Sequence, residues 1–238
     1  MIRLYLFAEG QTEQTFADNI LKPHLAQYDV FLDKIILIAH ARKKGIVHRG
    51  GGRKYEPMKD DIVRFLKQEK GANVFFTTMI DLYAIAPELP GLAQAEPLRP
   101  NPIERVEFLE TSFAADIDDR RFIPYIQLHE YEAYLFSNPS YFEFLYDNCS
   151  DKVAVLKEIA DSYETPELIN DGPETAPSKR IISQFPAYKR AKVADGSQLA
   201  ELIGLEVIRN KCSHFNSWLS RLESLSGECI DTPKFNER

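Results

Sequence analysis

Cysteine is scarce. Cys149, Cys212 and Cys229 are the only three in 238 residues, an odd number at wide spacing. That excludes a disulfide framework and a zinc knuckle, and it fits free thiols in a reducing cytoplasm. Positive charge is also in deficit, with 29 Lys and Arg against 36 Asp and Glu, a formal net charge of −7. Such a chain does not coat nucleic acid or acidic membrane by bulk electrostatics, though a local basic groove stays open to it. No apolar stretch approaches membrane-spanning length. The run near the N-terminus is too short, and too soon followed by Glu9, to read as a signal peptide. Catalytic signatures are missing as well: there is no Gly-x-Ser-x-Gly, no phosphate loop ending in Gly-Lys-Ser/Thr, and no zinc spacing among His24, His40, His48, His129 and His214. The cysteines have no neighbouring acid–base set, which argues against thiol catalysis.

What is present is organised around residues 2–13, IRLYLFAEGQTE. Ile2, Leu4, Tyr5, Leu6 and Phe7 form a short apolar run that predicts a buried strand. The run stops where Glu9 sits at the strand's carboxyl end and Gly10 permits a sharp turn. Thr12 and Glu13 suit the first turn of a helix from Gln11 to about Leu25. Ligands of open α/β sheets bind outside the carboxyl ends of the strands, so Glu9 and, one turn on, Glu13 face the expected site.

The rest of the chain repeats this pattern. Residues 33–40 predict a second buried strand and residues 59–70 an amphipathic helix stopped by Gly71. Between them, residues 41–57 form a basic loop with Arg53 and Lys54 beside three glycines. Residues 73–80 predict a third strand ending on Asp81, much as the first ends on Glu9. A proline-rich loop follows over residues 83–102, then a helix over 103–116. Residues 121–128 predict a fourth strand, with Glu130 and Glu132 at its end. Strand–helix alternation of this kind predicts a mostly parallel, four-stranded, doubly wound α/β sheet. From residue 137 the pattern changes to helices over 153–163, 179–192, 198–203, 206–211 and 215–225. The expected division is an α/β metal-binding domain over residues 1–136 and a helical cap over 137–238 packed on it.

Any one acid at a strand end is commonly just solvated. Glu9, Glu13, Asp81, Glu130 and Glu132, gathered from three strands at one sheet edge, are harder to explain that way. Like charges brought together need a cation or raised pKa values. Carboxylates without a Cys/His set point to Mg2+ or Mn2+, which can orient a phosphodiester and make a water nucleophilic. Arg53 and Lys54 offer phosphate contacts, and a solvated linker explains that loop equally well. Lys179 and Arg180, at a helix start, offer a second phosphate contact or are surface charges. His129 is a metal ligand, a proton carrier or a satisfied strand-end histidine. Tyr131, Tyr134, Leu135 and Phe136 read as core.

Glu9-Gly10-Gln11-Thr12-Glu13, Met79-Ile80-Asp81-Leu82-Tyr83 with Pro90-Gly91, and the run from His129 to Phe136 (HEYEAYLF) together resemble one family. So do residues 171–180 and 212–219. It is a bacterial domain-of-unknown-function family whose members resemble the Toprim (topoisomerase–primase) domain. The resemblance implies a Toprim-like, Rossmann-like sheet with a divalent-metal site. In it Glu9 would be general acid/base or metal ligand and Asp81 would bind magnesium. The Glu9-x-x-x-Glu13 spacing is similar to that of Toprim nucleases of the overcoming-lysogenisation-defect type, whose relatives often accompany an ATPase partner in anti-phage defence. The pattern departs at Tyr83, where Toprim domains usually carry a second Asp, so Glu130 or Glu132 would have to supply the missing ligand.

The expectation is therefore a cytoplasmic metal-dependent phosphodiesterase, foremost a DNA or RNA nuclease. Glu9, Glu13, Asp81 and Glu130 are its expected catalytic residues, with Glu132 added to the metal set. Arg53, Lys54, Lys179 and Arg180 would lie on the phosphate backbone. An ATPase partner or a homodimer is compatible with this expectation. The competing readings are a non-catalytic partner subunit of an ATPase complex with a degenerate metal site, and a hydrolase of small phosphate esters.

Overall fold

β1, Ile2–Ala8, is the middle of the fold because nearly every side chain on it is apolar and both of its faces are covered. Ile2, Leu4, Leu6 and Ala8 enter one core, while Tyr5 and Phe7 enter another on the opposite face. A strand buried on both sides reads as a continuous apolar run, which is why this one was visible in sequence. The computed structural model describes residues 1–43, 46–49, 54–83, 85–170, 172 and 174–228, with the backbone alone at 39–43, 46–49 and 228.

The strands that follow are β2 (Val30–Leu37), β3 (Ala39–Lys43), β4 (Ile46–Arg49), β5 (Val74–Asp81), β6 (Phe122–Ile123) and β7 (Ile126–Gln127). The main sheet has the order β2-β1-β5-β6, with β7 also on β5, and every pairing in it is parallel. Nine helices are described: α1 (Gln11–Phe16), α2 (Lys22–Ala26), α3 (Tyr55–Gln68), α4 (Pro102–Ile117), α5 (Ser150–Asp161), α6 (Pro177–Gln184), α7 (Tyr188–Ile203), α8 (Leu205–Lys211) and α9 (Ser213–Glu228). Short 3-10 turns over Tyr131–Ser137 and Pro139–Phe144 lead from the sheet into α5. Helices α3 and α4 cover the face of Tyr5 and Phe7, through Ile62, Leu66, Leu109 and Phe113. The other face is covered by the helical run after Gly10 and by α7, α8 and α9, through Phe16, Leu199, Ile208, Phe215 and Leu219. The molecule is thus an α/β fold with a parallel sheet between two helical layers.

Departures from the expected elements have local causes. The helix expected from Gln11 runs to Ala26, but its middle, Ala17–Leu21, is π-helical. The second strand begins at Val30, after Asp29 turns the chain at φ 58°, and lies at the sheet edge with Phe31, Asp33 and Lys34 exposed. The described part of the expected loop over 41–57 contains the antiparallel pair β3–β4. Helix α3 starts at Tyr55 because Pro57 falls in its first turn, where a missing N–H costs nothing. The fourth strand is split at Pro124, which cannot donate to the ladder. The helix expected over 179–192 is likewise divided near Pro186 into α6 and α7. No helix among the described residues is long and apolar enough to cross a membrane.

Candidate functional site

Parallel pairing of β1 with β5 brings two strand ends to one place. The register carries Ala8 opposite Met79, and the Glu9 N–H continues it by donating to the Met79 carbonyl at 3.0 Å. The Asp81 N–H then donates to Glu9 Oε2 at 2.8 Å. Residues 72 apart in sequence therefore share a hydrogen bond at the carboxyl edge of the sheet.

Glu13 joins them through the turn at Gly10. That residue is the N-cap of α1, and its N–H donates to Glu13 Oε2 at 2.8 Å, half of a capping box. A Cβ at position 10 would stand 3.0 Å from that oxygen, so glycine lets the carboxylate fold back. Glu13 is buried. Burial and then the charges of Glu9 and Glu132 push its pKa up to about 7, against the pull of its backbone hydrogen bonds.

The remaining carboxylates arrive after β7. Asp81 is opposite Gln127 in the β5–β7 pair, and His129 follows with φ 64°. A left-handed residue other than glycine is uncommon and strained. Here it bends the chain between Leu128 and Glu130, and Asn170 Nδ2 lies 2.9 Å from its Nδ1. Glu130 and Glu132 are both buried. Glu130 accepts the Ser178 backbone N–H and, at 3.1 Å, the Ser178 hydroxyl. Glu132 Oε1 is 2.9 Å from Lys192 Nζ and accepts the Tyr188 hydroxyl at 3.4 Å.

Asp81 is perturbed by the whole cluster. It is partly buried, yet its Oδ1 is wholly enclosed and has no hydrogen-bond partner among the described residues. Burial raises its pKa well above the usual carboxylate range, and the charges of Glu9, Glu13, Glu130 and Glu132 add to the effect in that order. Glu130 is raised as well, by burial first and Glu132 second. Burial works against the Lys192 charge, but Glu132, Glu130 and Asp81 hold its pKa above the usual lysine value. Five carboxylates and one lysine thus act on one another at a single sheet edge.

Among the described residues, no group of three or more His, Cys, Asp or Glu side chains stands ready to hold a metal ion. The fit to a divalent cation is one of donor chemistry. All five acids present oxygens, which suits magnesium or manganese, and the enclosed Asp81 Oδ1 is the atom a cation would satisfy. Glu9 and Asp81 meet, Glu13 faces them, and Glu130 and Glu132 are held by Ser178 and Lys192.

The basic residues are placed unequally. Lys54 is exposed at the start of α3 and lines a crevice with Glu9 and Asp81. Arg53 lies outside the described residues. Lys179 is exposed on the first turn of α6, next to the Ser178 that binds Glu130. Arg180 is partly buried; its Nε donates to the Thr175 carbonyl at 2.6 Å and its Nη2 to the Tyr163 hydroxyl at 3.1 Å. Tyr83 keeps 37% of its surface exposed and donates its N–H to the His129 carbonyl at 2.7 Å. Lys192 and Tyr188 are not singled out by the sequence, where the basic run Lys189-Arg190-Ala191-Lys192 does not say which member turns inward; Ser178 falls within the motif over residues 171–180 but carries no assigned role there.

Among solved structures, the chain is similar to the C-terminal region of the Burkholderia pseudomallei OLD protein, at 13% identity and TM-score 0.44, over 93% of this chain and 97% of that one. It is also similar to the C-terminal region of the Xanthomonas campestris pv. campestris OLD protein. There the values are 13% and 0.41 over 97% and 98% of the two chains in one structure, and 14% and 0.42 over 96% and 98% in another. No curated protein matches. The family described as domain of unknown function (DUF4276) matches residues 8–223, a span that includes every described site residue, and the chain belongs to that family.

Proposed function

We propose that this protein is a Toprim-like, divalent-metal-dependent phosphodiesterase that cleaves nucleic acid. The observation that carries the reading is the junction of Glu9 and Asp81 at adjacent parallel strand ends, with Asp81 Oδ1 enclosed and unpartnered. Asp81 and Glu9, with Glu13 beside them, would hold Mg2+ or Mn2+. A bound ion of this kind polarises a phosphodiester and lowers the pKa of a coordinated water. Glu13, buried beside Glu9, is one candidate to accept a proton from the attacking water. Glu9 is the other candidate base. Lys192 keeps Glu132 oriented and offsets part of the cluster's charge. Lys54, exposed on the crevice shared with Glu9 and Asp81, and Lys179, exposed next to the Ser178 that binds Glu130, supply cations for a polynucleotide backbone.

The test is a cleavage assay on DNA, RNA and tRNA with magnesium or manganese, comparing wild type with Glu9→Ala and Asp81→Ala. Expected is metal-dependent cleavage that either substitution reduces by about 100-fold or more, the scale for losing a group that stabilises the transition state. Cleavage that survives both substitutions would overturn the assignment.

A second reading is favoured by one observation. Glu130 and Glu132 are already bound by Ser178 and Lys192, as in a site whose acids have been absorbed into the structure. The protein would then be a non-catalytic subunit of an ATPase complex. Calorimetric titration with manganese separates the two: binding that Asp81→Asn removes argues against this second reading.

A further inference from the structure

A second recess lies beside the carboxylates. It is a cavity of about 540 Å3 between the segment after β5, the start of α4 and the loop that carries Asn170, within the size range of small-molecule sites. Its polar wall is Glu96, Arg99, Arg105, His129 and Asn170, and Ile85 and Leu92 give it an apolar one.

Arg105 is the telling residue. Its Nε is enclosed and meets no acceptor among the described residues, although a buried unpaired N–H is costly. Glu96, whose charge reaches Arg105, is bound by Arg99. Burial and the neighbouring Arg99 lower the Arg105 pKa, against the opposing charge of Glu96, and no ion pair to Arg105 is formed among the described residues. Arg105 also sits in the first turn of α4, a 16-residue helix whose first residue, Pro102, lines the same recess. The helix dipole adds to the demand for an anion there.

Position gives the recess its meaning. Leu82 and Tyr83 on its rim directly follow Asp81, and His129 directly precedes Glu130. Its rim is thus built from the chain neighbours of two of the carboxylates.

We propose that this recess is a nucleotide subsite, in which Arg105 holds the phosphate of a nucleotide next to the scissile one, Arg99 neutralises Glu96 on the same wall, and the wall at Leu92 receives the base. The subsite assignment rests on the phosphodiesterase reading, whereas binding of a nucleotide there does not.

The experiment is calorimetric binding to the full chain in EDTA at low salt. The probes are pTpT, thymidine monophosphate and inorganic phosphate; the proteins are wild type, Arg105→Gln and Arg105→Lys. Expected is binding of pTpT more tightly than of the mononucleotide, and of the mononucleotide more tightly than of phosphate. Arg105→Gln should weaken pTpT binding by about tenfold or more, the scale of a lost charge-assisted contact. Arg105→Lys should fall between. Thermal unfolding of Arg105→Gln at or above the wild-type temperature separates lost binding from lost folding.

Equal affinity for pTpT and the mononucleotide would assign the recess to a free nucleotide and overturn the subsite. Phosphate bound as tightly as either would reduce it to an anion site and overturn the proposal. So would wild-type affinity in Arg105→Gln. Nucleotide binding without any cleavage activity would instead overturn the phosphodiesterase reading and leave the recess as a nucleotide site.

Discussion

Trp218, on the last helix, donates its indole N–H to Thr77 Oγ1 in the middle of β5 at 2.9 Å. The Thr77 hydroxyl in turn donates to the Ile123 carbonyl at 2.6 Å, and the indole stacks on Tyr125 with ring centroids 4.3 Å apart. One side chain thus joins α9 to two strands of the sheet, in a place where an unpaired indole N–H would be buried. Thr77→Val is expected to destabilise the fold by about 1–2 kcal/mol through that unpaired donor. Trp218→Phe, which also leaves a void, should cost about 2–4 kcal/mol. Urea unfolding read by circular dichroism gives both values. Trp218 is the only tryptophan in the chain, so its fluorescence in the Thr77→Val protein should change together with the far-ultraviolet signal. A fluorescence transition that precedes loss of helix would show that α9 detaches first.

His214 and Glu110 form a second tie, and this one titrates. The His214 Nε2 lies 3.2 Å from Glu110 Oε1, and that same oxygen accepts the Ile126 N–H at 2.8 Å. Burial pulls the imidazole pKa down, but the hydrogen bond and charge of Glu110, with the charge of Glu167, outweigh it and the pKa is raised. The folded state therefore binds this proton more tightly than the unfolded state does. The stabilisation is complete below about pH 6.5, the free imidazole value, and is lost as pH rises through the higher folded value. Melting temperatures of wild type and His214→Gln should differ most at pH 5.5, by the equivalent of about 1–2 kcal/mol, and converge by pH 9. A difference independent of pH would remove the ion pair from the account.

How much of this was legible beforehand depended on whether a signal was local. β1 and β5 announced themselves as apolar runs closed by Glu9 and Asp81, and parallel pairing did the rest. Tyr131, Tyr134, Leu135 and Phe136 were expected in the core, and all four are buried. The partners of the acids were not legible. Lys192 lies 60 positions from Glu132 and Ser178 lies 48 from Glu130, on helices whose apolar periodicity says which face is buried but not which polar side chain turns toward the sheet edge. Arg105 was hidden for a similar reason, since a charge in the first turn of α4 reads as solvated until the loops around it are placed. Prolines mislead in two ways: Pro57 reads as a loop residue although it sits in the first turn of α3, and Pro124 breaks what reads as one strand.

The two basic residues at the start of α6 should behave differently when replaced. Lys179 is exposed, whereas Arg180 donates to Thr175 and Tyr163 and lies over the Tyr163 ring at 5.8 Å. Lys179→Ala is expected to leave the melting temperature unchanged and weaken polynucleotide binding uniformly across sequences. It should also reduce the slope of log affinity against log salt by about 0.7–1. Arg180→Ala is expected to lower stability by about 1–2 kcal/mol, because a carbonyl and a hydroxyl lose their donor. Fluorescence anisotropy over a salt series and thermal melts on both variants separate the roles. A wild-type melting temperature for Arg180→Ala together with a reduced salt slope would return Arg180 to the phosphate-contacting set.

The acids themselves make the fold sensitive to pH. Glu13, Asp81 and Glu130 all have pKa values raised by burial and by one another, so the folded chain holds their protons more tightly than the unfolded chain does. Stability from these groups is full below the ordinary carboxylate range and declines as pH rises, for Glu13 through about 7. Removing the charge should therefore stabilise the metal-free protein at pH 8, with about 2–3 kcal/mol as the ceiling for Glu13→Gln. The same charges would be neutralised by a divalent ion, which must displace protons to bind, so affinity should climb with pH across the same interval. Manganese is thus expected to raise the melting temperature more at pH 8 than at pH 6, and Asp81→Asn to abolish the shift at both. A shift of equal size at the two pH values, or a Glu13→Gln protein less stable than wild type at pH 8, would mean that the carboxylates at this edge are held by the fold in a relaxed state and have no need of a cation.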